Sequence, residues 1–243
     1  MISKADWKYW DKASRDDDPH VAPKSETIRR WIEHFCAKRP PGTCLEIGCY
    51  PGRFLAIFGE MGYELYGVDL TERIETLSTW MKAKNYRVGR LWHEDFFEFK
   101  PGRKFDVVLS LGFIEHFTDW EAVLDQHMNL VGPDGFLVLS VPNFLGSFQN
   151  RLHRSLDGEN YQRHHIPAMN VEEWVKRLDR HQFKLIYSGY FGPFDFWVGD
   201  QQRTLVQRTS LKLLTVTRPF LRHLLPRDKQ SYSPYAGLIA ERL

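Results

Sequence analysis

Cysteine is scarce in this chain, with three among 243 residues. Cys36, Cys44 and Cys49 are odd in number and show no C-x-x-C spacing. That excludes a disulfide framework and a cysteine-built zinc site, and it leaves them as small core residues. A dominant charge is also missing: 33 basic residues stand against 31 acidic ones, a formal net charge of +2. No argument therefore runs from overall charge to nucleic acid. No apolar run reaches the length of a bilayer span, and Met1 to Trp10 carries Lys4, Asp6 and Lys8 without an apolar core. The expectation is a cytoplasmic protein with no secretory leader. Internal repeats and low-complexity tracts are absent as well.

What is present is a globular composition, 42% hydrophobic and 14% aromatic, in a length that suits one domain over 1–243. An opening stretch with Trp7, Tyr9 and Trp10 and the acidic run Asp16-Asp17-Asp18-Pro19 precede a helix over Ser25 to Ala37, where Ile28, Trp31, Ile32 and Phe35 recur at helical spacing. Residues 1–42 are expected to form a helical cover. Strand-like and helix-like segments then alternate. Strands are predicted at Thr43–Ile47, Glu64–Val68, Arg87–His93, Phe105–Leu111, Gly135–Val141, Phe183–Tyr190 and Tyr235–Glu241. Helices are predicted at Gly52–Met61, Thr71–Ala83, Trp120–Leu130 and Val171–His181. Such alternation argues for an α/β fold whose parallel sheet is covered on both faces and binds ligands beyond the carboxyl ends of its strands.

Two segments exceed that alternation. Residues 145–170 hold Asp157, Glu159, Asn160, Tyr161, His164 and His165, a polar density that reads as a substrate loop. Residues 195–230 hold Arg203, Arg208, Lys212, Arg218, Arg222, Arg227 and Lys229 against few acids, with broadly helical apolar spacing that Pro219 is expected to interrupt. Both are expected to form a substrate lid. The basic segment also fits a docking face for anionic lipid or a lipid-linked glycan, or a dimer surface, and membrane contact is expected through 203–229. Nucleic acid is not expected, since stacking aromatics do not interleave with the basic residues. The oligomeric state stays open.

The sharpest feature is Cys44-Leu45-Glu46-Ile47-Gly48-Cys49-Tyr50-Pro51-Gly52-Arg53-Phe54, an apolar strand entering a glycine-punctuated turn and then a helix that Arg53 would open. Glycine lets a ligand approach the backbone, and a helix start presents unpaired N–H groups. A phosphate loop would need Gly-Lys followed by Ser or Thr, which is missing. A dinucleotide site would need G-x-G-x-x-G, but Tyr50 stands where the second glycine belongs. What remains is acidic-x-Gly-x-x-x-Gly, beginning at Glu46. An ordinary strand-to-helix turn is the plainer alternative.

That pattern resembles motif I of the Rossmann-like, class I S-adenosylmethionine-dependent methyltransferases. The resemblance implies a three-layer αβα sandwich around a mostly parallel seven-stranded sheet, order 3-2-1-4-5-7-6, with the last strand antiparallel. It also implies S-adenosyl-L-methionine as cofactor. Glu46, Gly48, Cys49, Tyr50, Gly52 and Arg53 would then hold it from the loop, with Ser110 beyond. Asp69, followed by Leu70 and about twenty residues past the loop, would accept from the ribose, or instead cap the next helix. Asp95 would accept from the adenine amino group while Phe96 borders the ring. Gly112-Phe113-Ile114-Glu115-His116-Phe117 resembles the Glu-His signature after the fourth strand in small-molecule methyltransferases, including those acting on quinone precursors.

By the same resemblance, His116 is the first candidate for a general base, with His164 and His165 as rivals; each could instead fix a loop. The Pro-Pro-aromatic motif used in methylation of amides and nucleobases is missing at Ser110-Leu111-Gly112-Phe113. Ser110 and Asn143 stand where catechol-type enzymes carry metal-binding carboxylates, so no metal is expected. His164, His165 and Asp157 match no strong ligand spacing. The expected activity is methyl transfer to a hydroxyl of a small metabolite or sugar-like acceptor. Transfer to an amine or carbon, and a non-catalytic binding protein on the same fold, are the alternatives.

Overall fold

The computed structural model describes Ser3 and residues 17–243. The expectation for Trp7, Tyr9 and Trp10 lies outside the described residues. Of the 1–42 cover, helix α1 (Thr27–Cys36) is the described helical part.

Strands β1 (Thr43–Ile47), β2 (Glu64–Asp69), β3 (Arg87–His93), β4 (Phe105–Leu111), β5 (Val131–Pro142), β6 (Phe183–Phe191) and β7 (Tyr235–Arg242) form one sheet. Its order is β3-β2-β1-β4-β5-β7-β6. β7 runs antiparallel to β5 and β6, and the remaining pairs are parallel. This is the arrangement that the resemblance implied.

Alternation along the strands feeds a separate core on each face. Leu45, Ile47, Val108 and Leu139 pack with α4 (Trp120–Leu130) and α7 (Val171–Leu178). Cys44, Val107, Leu109 and Val138 pack with α1, α2 (Leu55–Glu60) and α3 (Ile74–Ala83). Trp31 of α1 stacks on Phe191 of β6, centroids 4.5 Å apart and planes 8° from parallel. Buried Arg29 bridges Glu33 and Glu60, tying α1 to α2.

Residues 145–170 differ from the expected loop. They fold as α5 (Ser147–Leu156), α6 (Gly158–Gln162) and a 3-10 turn at Ile166–Met169. Between β6 and β7 runs α8 (Leu205–Leu224), twenty residues opened by a reciprocal Thr204–Gln207 capping box. Pro219 sits inside α8 and does not interrupt it, against the sequence expectation. Leu211, Leu214, Leu221 and Leu225 pack against a small core of Leu152, Leu156, Phe194 and Phe196, and this contact holds the helix through the one hydrogen bond that proline removes.

The strand order reverses between β1 and β4, whose parallel register pairs Glu46 with Leu109. The turns leaving these two strands, at Gly48 and Gly112, therefore flank the crevice in which sheets of this kind bind ligands.

Candidate functional site

The helix after the glycine turn begins at Leu55, so Arg53 stays in the turn instead of opening the helix. Its guanidinium bonds Glu26 at 2.5 Å and lies 4.7 Å from the Phe54 ring centroid. Several of the turn's N–H donors pair within the protein. Gly48 and Cys49 N–H donate to the Val68 carbonyl, and Gly52 N–H donates to the Cys49 carbonyl. Glu46, buried, accepts the Leu55 N–H at 2.9 Å and so caps α2. Burial raises its pKa well above the carboxylate range, and Asp69 nearby adds to the rise against the Leu55 bond.

Glycine is required at both positions, by a positive φ and by a neighbouring side chain. At Gly52 (φ +86) an added Cβ would stand 2.4 Å from Leu77 Cδ1, so this residue makes room for α3. At Gly48 (φ +71) it would stand 3.1 Å from the Phe113 ring, on the crevice side where β4 leaves the sheet. Cys49 points into the core and would meet a side chain at Gly67. The Tyr50–Pro51 peptide is cis. The Tyr50 hydroxyl donates to the Asp17 carbonyl at 2.6 Å, and Arg73 lies 5.2 Å from its ring centroid, so the side chain is engaged on the Asp17 and Arg73 side of the loop.

Asp69 ties two backbone turns together at the end of β2. One oxygen accepts the Tyr50 N–H at 2.9 Å and the other the Thr71 N–H at 3.0 Å, which joins the glycine turn to the start of the α3 segment. The Leu70 N–H also bears on this carboxylate, which leaves about one of its four acceptor sites for a hydroxyl. Burial raises its pKa, opposed by these backbone bonds. Leu70 is exposed, and its carbonyl lies 2.9 Å from His93 Nε2. At the end of β3, Asp95 accepts the Phe97 N–H at 2.9 Å. Phe96 is buried edge-on to Phe113 and 4.8 Å from the His127 ring. Ser110 on β4 keeps a buried hydroxyl with no partner among the described residues. A carboxylate with a spare acceptor site and an orphaned, buried Ser110 hydroxyl fit an adenosine-bearing cofactor.

The next turn holds a group that the sequence reading quoted but did not assign a role. Ile114–His116 is a 3-10 turn, and Glu115 on it is wholly buried with neither carboxylate oxygen partnered among the described residues. Burial pushes its pKa up to about 8. Two hydrogen bonds staple the segment before the Ile166–Met169 turn onto this one. His165 N–H donates to the Glu115 carbonyl at 2.6 Å, and His116 Nδ1 bonds the Arg163 carbonyl at 3.0 Å. The staple brings the His164 ring to 4.7 Å from that of His116, and Glu115, His116 and His164 offer ligand-type atoms within 4.8 Å of one another. A carbonyl only accepts, so Nδ1 of His116, and of His164 at 2.7 Å from the Asn160 carbonyl, carries a proton.

Burial, reinforced by the neighbouring His164, lowers the pKa of His116 to about 3, and burial lowers that of His164 to about 4. Both rings are neutral at pH 7 and weakly basic. Asp157 is engaged elsewhere, by His153 and Asn160, each at 3.0 Å, so it does not join His164 and His165 as a ligand set. His165 contributes its backbone to the staple. No local signal in the sequence pairs Glu115 with His164, because the two are brought together only where the segment before the Ile166–Met169 turn meets the Ile114–His116 turn.

Residues 21–188 match the family model described as Methyltransferase domain. A curated relative, the ubiquinone biosynthesis O-methyltransferase of Leptothrix cholodnii, is 27% identical over 143 residues, 56% of this chain and 58% of that protein. The chain thus spans little more than half of that relative's length. Among solved structures, a SAM dependent methyltransferase from Archaeoglobus fulgidus aligns over 88% of this chain and 93% of its own, with a TM-score of 0.56 at 18% identity. The MccD protein aligns over 92% and 99%, with a TM-score of 0.60 at 16% identity. At such identities these structures speak to the fold alone.

Proposed function

The chain belongs to the class I S-adenosylmethionine-dependent methyltransferases, and from that premise we propose that it methylates a hydroxyl of a small metabolite or sugar-like acceptor, with Glu115 receiving the hydroxyl proton. The observation that carries the proposal is the buried, unpartnered Glu115 carboxyl at the crevice end of β4, held at a pKa of about 8. A carboxyl tuned to near neutrality is a far better proton acceptor than an imidazole held at about 3 or 4. This moves the base from His116, the first sequence candidate, to its neighbour. The O-methyltransferase named among the relatives supports oxygen over nitrogen or carbon as the acceptor atom.

The cofactor supplies an electrophilic methyl on a sulfonium, so the protein's work is alignment and proton removal. Gly48, Asp69, Asp95, Phe96 and Ser110 are the residues that would hold it. His116 and His164 lie beside the Glu115 carboxyl, with ligand-type atoms of the three within 4.8 Å of one another. Turnover on a panel of small hydroxylated acceptors, read by mass of the methylated product, tests the assignment. Glu115→Gln is expected to lower kcat by about 100-fold or more while cofactor affinity stays within about threefold. In the wild type, kcat is expected to rise with pH until about 8, and the variant to lose that limb. Full turnover in Glu115→Gln would overturn the role.

The compact Glu115, His116 and His164 cluster favours a second reading, in which a divalent cation held by one carboxylate and two imidazoles activates the hydroxyl. Treatment with a chelator separates the two. Undiminished turnover supports proton acceptance by Glu115, whereas loss restored by added cation supports the second reading.

A further inference from the structure

Helix α8 has no buried residue along its twenty positions. Leu211, Leu214 and Leu221 turn one side toward the small core beside α5. On the other side Leu205, Val206, Leu213, Val216, Phe220 and Leu224 stand exposed, with Leu205 at 80% and Phe220 at 67%. At 100° per residue these six fall within about a third of the helical circumference, a continuous apolar stripe pointing away from the protein. A lone exposed leucine needs no explanation, but an ordered stripe does.

The charges on the helix itself are all of one sign. Between Leu205 and Leu224 there is no Asp or Glu, and there are Arg208, Lys212, Arg218 and Arg222. Arg218 and Arg222 turn inward to Asp195. Arg208 and Lys212 form no ion pair among the described residues and flank the stripe, sharing a shallow depression with Asp200. A second copy of the chain would bring a basic face against a basic face. An anionic bilayer surface is complementary in both respects, accepting apolar side chains below its headgroups and basic ones among them. No described helix is long and apolar enough to cross a membrane.

We propose that α8 docks this protein on anionic lipid surfaces, lying in the interface with Leu213, Val216 and Phe220 inserted and Arg208 and Lys212 on the headgroups. The inference does not depend on the methyl-transfer reading.

Co-sedimentation of the full chain with vesicles tests it, comparing phosphatidylcholine alone with phosphatidylcholine containing about a third phosphatidylglycerol. Binding is expected to the anionic vesicles only and to weaken with salt. Leu213→Glu with Phe220→Glu should abolish it, and Arg208→Gln with Lys212→Gln should weaken it by about tenfold or more. All four positions are on the helix surface, and circular dichroism with thermal melts of the variants serves as the check that they remain folded. Failure of the wild type to bind anionic vesicles, equal binding to both compositions, or unchanged binding by Leu213→Glu with Phe220→Glu would overturn the proposal. So would sedimentation of the free protein as a dimer that Phe220→Glu dissociates.

Discussion

Glu115 and the histidines around the crevice titrate away from the usual values of their residue types, and pH separates their effects. The folded Glu115 keeps its proton up to about 8, whereas an unfolded glutamate releases it near ~4.3. Its contribution to stability is present below the unfolded value and is lost as pH rises toward about 8. The buried histidines act in the opposite direction. His127 and His164 stay neutral down to about 4, while unfolded histidine takes a proton below ~6.5. Stability from them is lost as pH falls from there to about 4. Thermal melts should therefore decline on both flanks, with Glu115→Gln flattening the alkaline flank and His127→Leu the acid one. Unchanged slopes in the variants would contradict the assignment. The glycines separate by function in the same way. Gly52→Ala should cost ~1–3 kcal/mol of stability, because backbone strain and the Leu77 contact coincide there. Gly48→Ala, read by titration with cofactor, should cost more in affinity than in stability. Asp69 was legible as a single residue, since an acid about twenty positions past the glycine turn must end β2. The Glu115 and His164 contact was not, because nothing local to either residue encodes it.

Whole elements were legible where their period was unbroken, as in β1, β4 and α4, and less so where tertiary packing decides. Residues 145–170 look polar in sequence yet fold as short helices, because Leu152 and Leu156 meet Phe194 and Phe196 from the far side of β6. Pro219 reads as a break, and packing overrides it. Replacing it with alanine restores the missing donor, so hydrogen exchange of amides from Leu205 to Leu224 should slow by about tenfold or more. No slowing would show that the helix carries no penalty at this position. At the other sheet face, Trp174 of α7 is wholly buried and donates from Nε1 to the Ala168 carbonyl at 2.9 Å. Trp174→Ala should cost ~3–5 kcal/mol in denaturant unfolding.

The molecule as a whole was the most legible scale. Alternating βα segments leave few topologies, and the acidic-x-Gly-x-x-x-Gly turn selects among them the sheet whose order reverses between β1 and β4. That reversal makes one crevice of turns far apart in sequence, at Gly48, Asp69, Asp95 and Gly112. The acceptor was not legible, because the repeating pattern encodes the sheet and not the segments 145–170 and 195–230 that stand outside it. The central claim is that this crevice binds S-adenosylmethionine through Gly48 and Asp69. Isothermal titration of the wild type and of Asp69→Ala with S-adenosylmethionine and with its demethylated product measures this directly. Saturable one-to-one binding of both ligands by the wild type, weakened at least about tenfold in the variant, is the predicted result. Absence of binding at millimolar ligand, or equal affinity in Asp69→Ala, would contradict it.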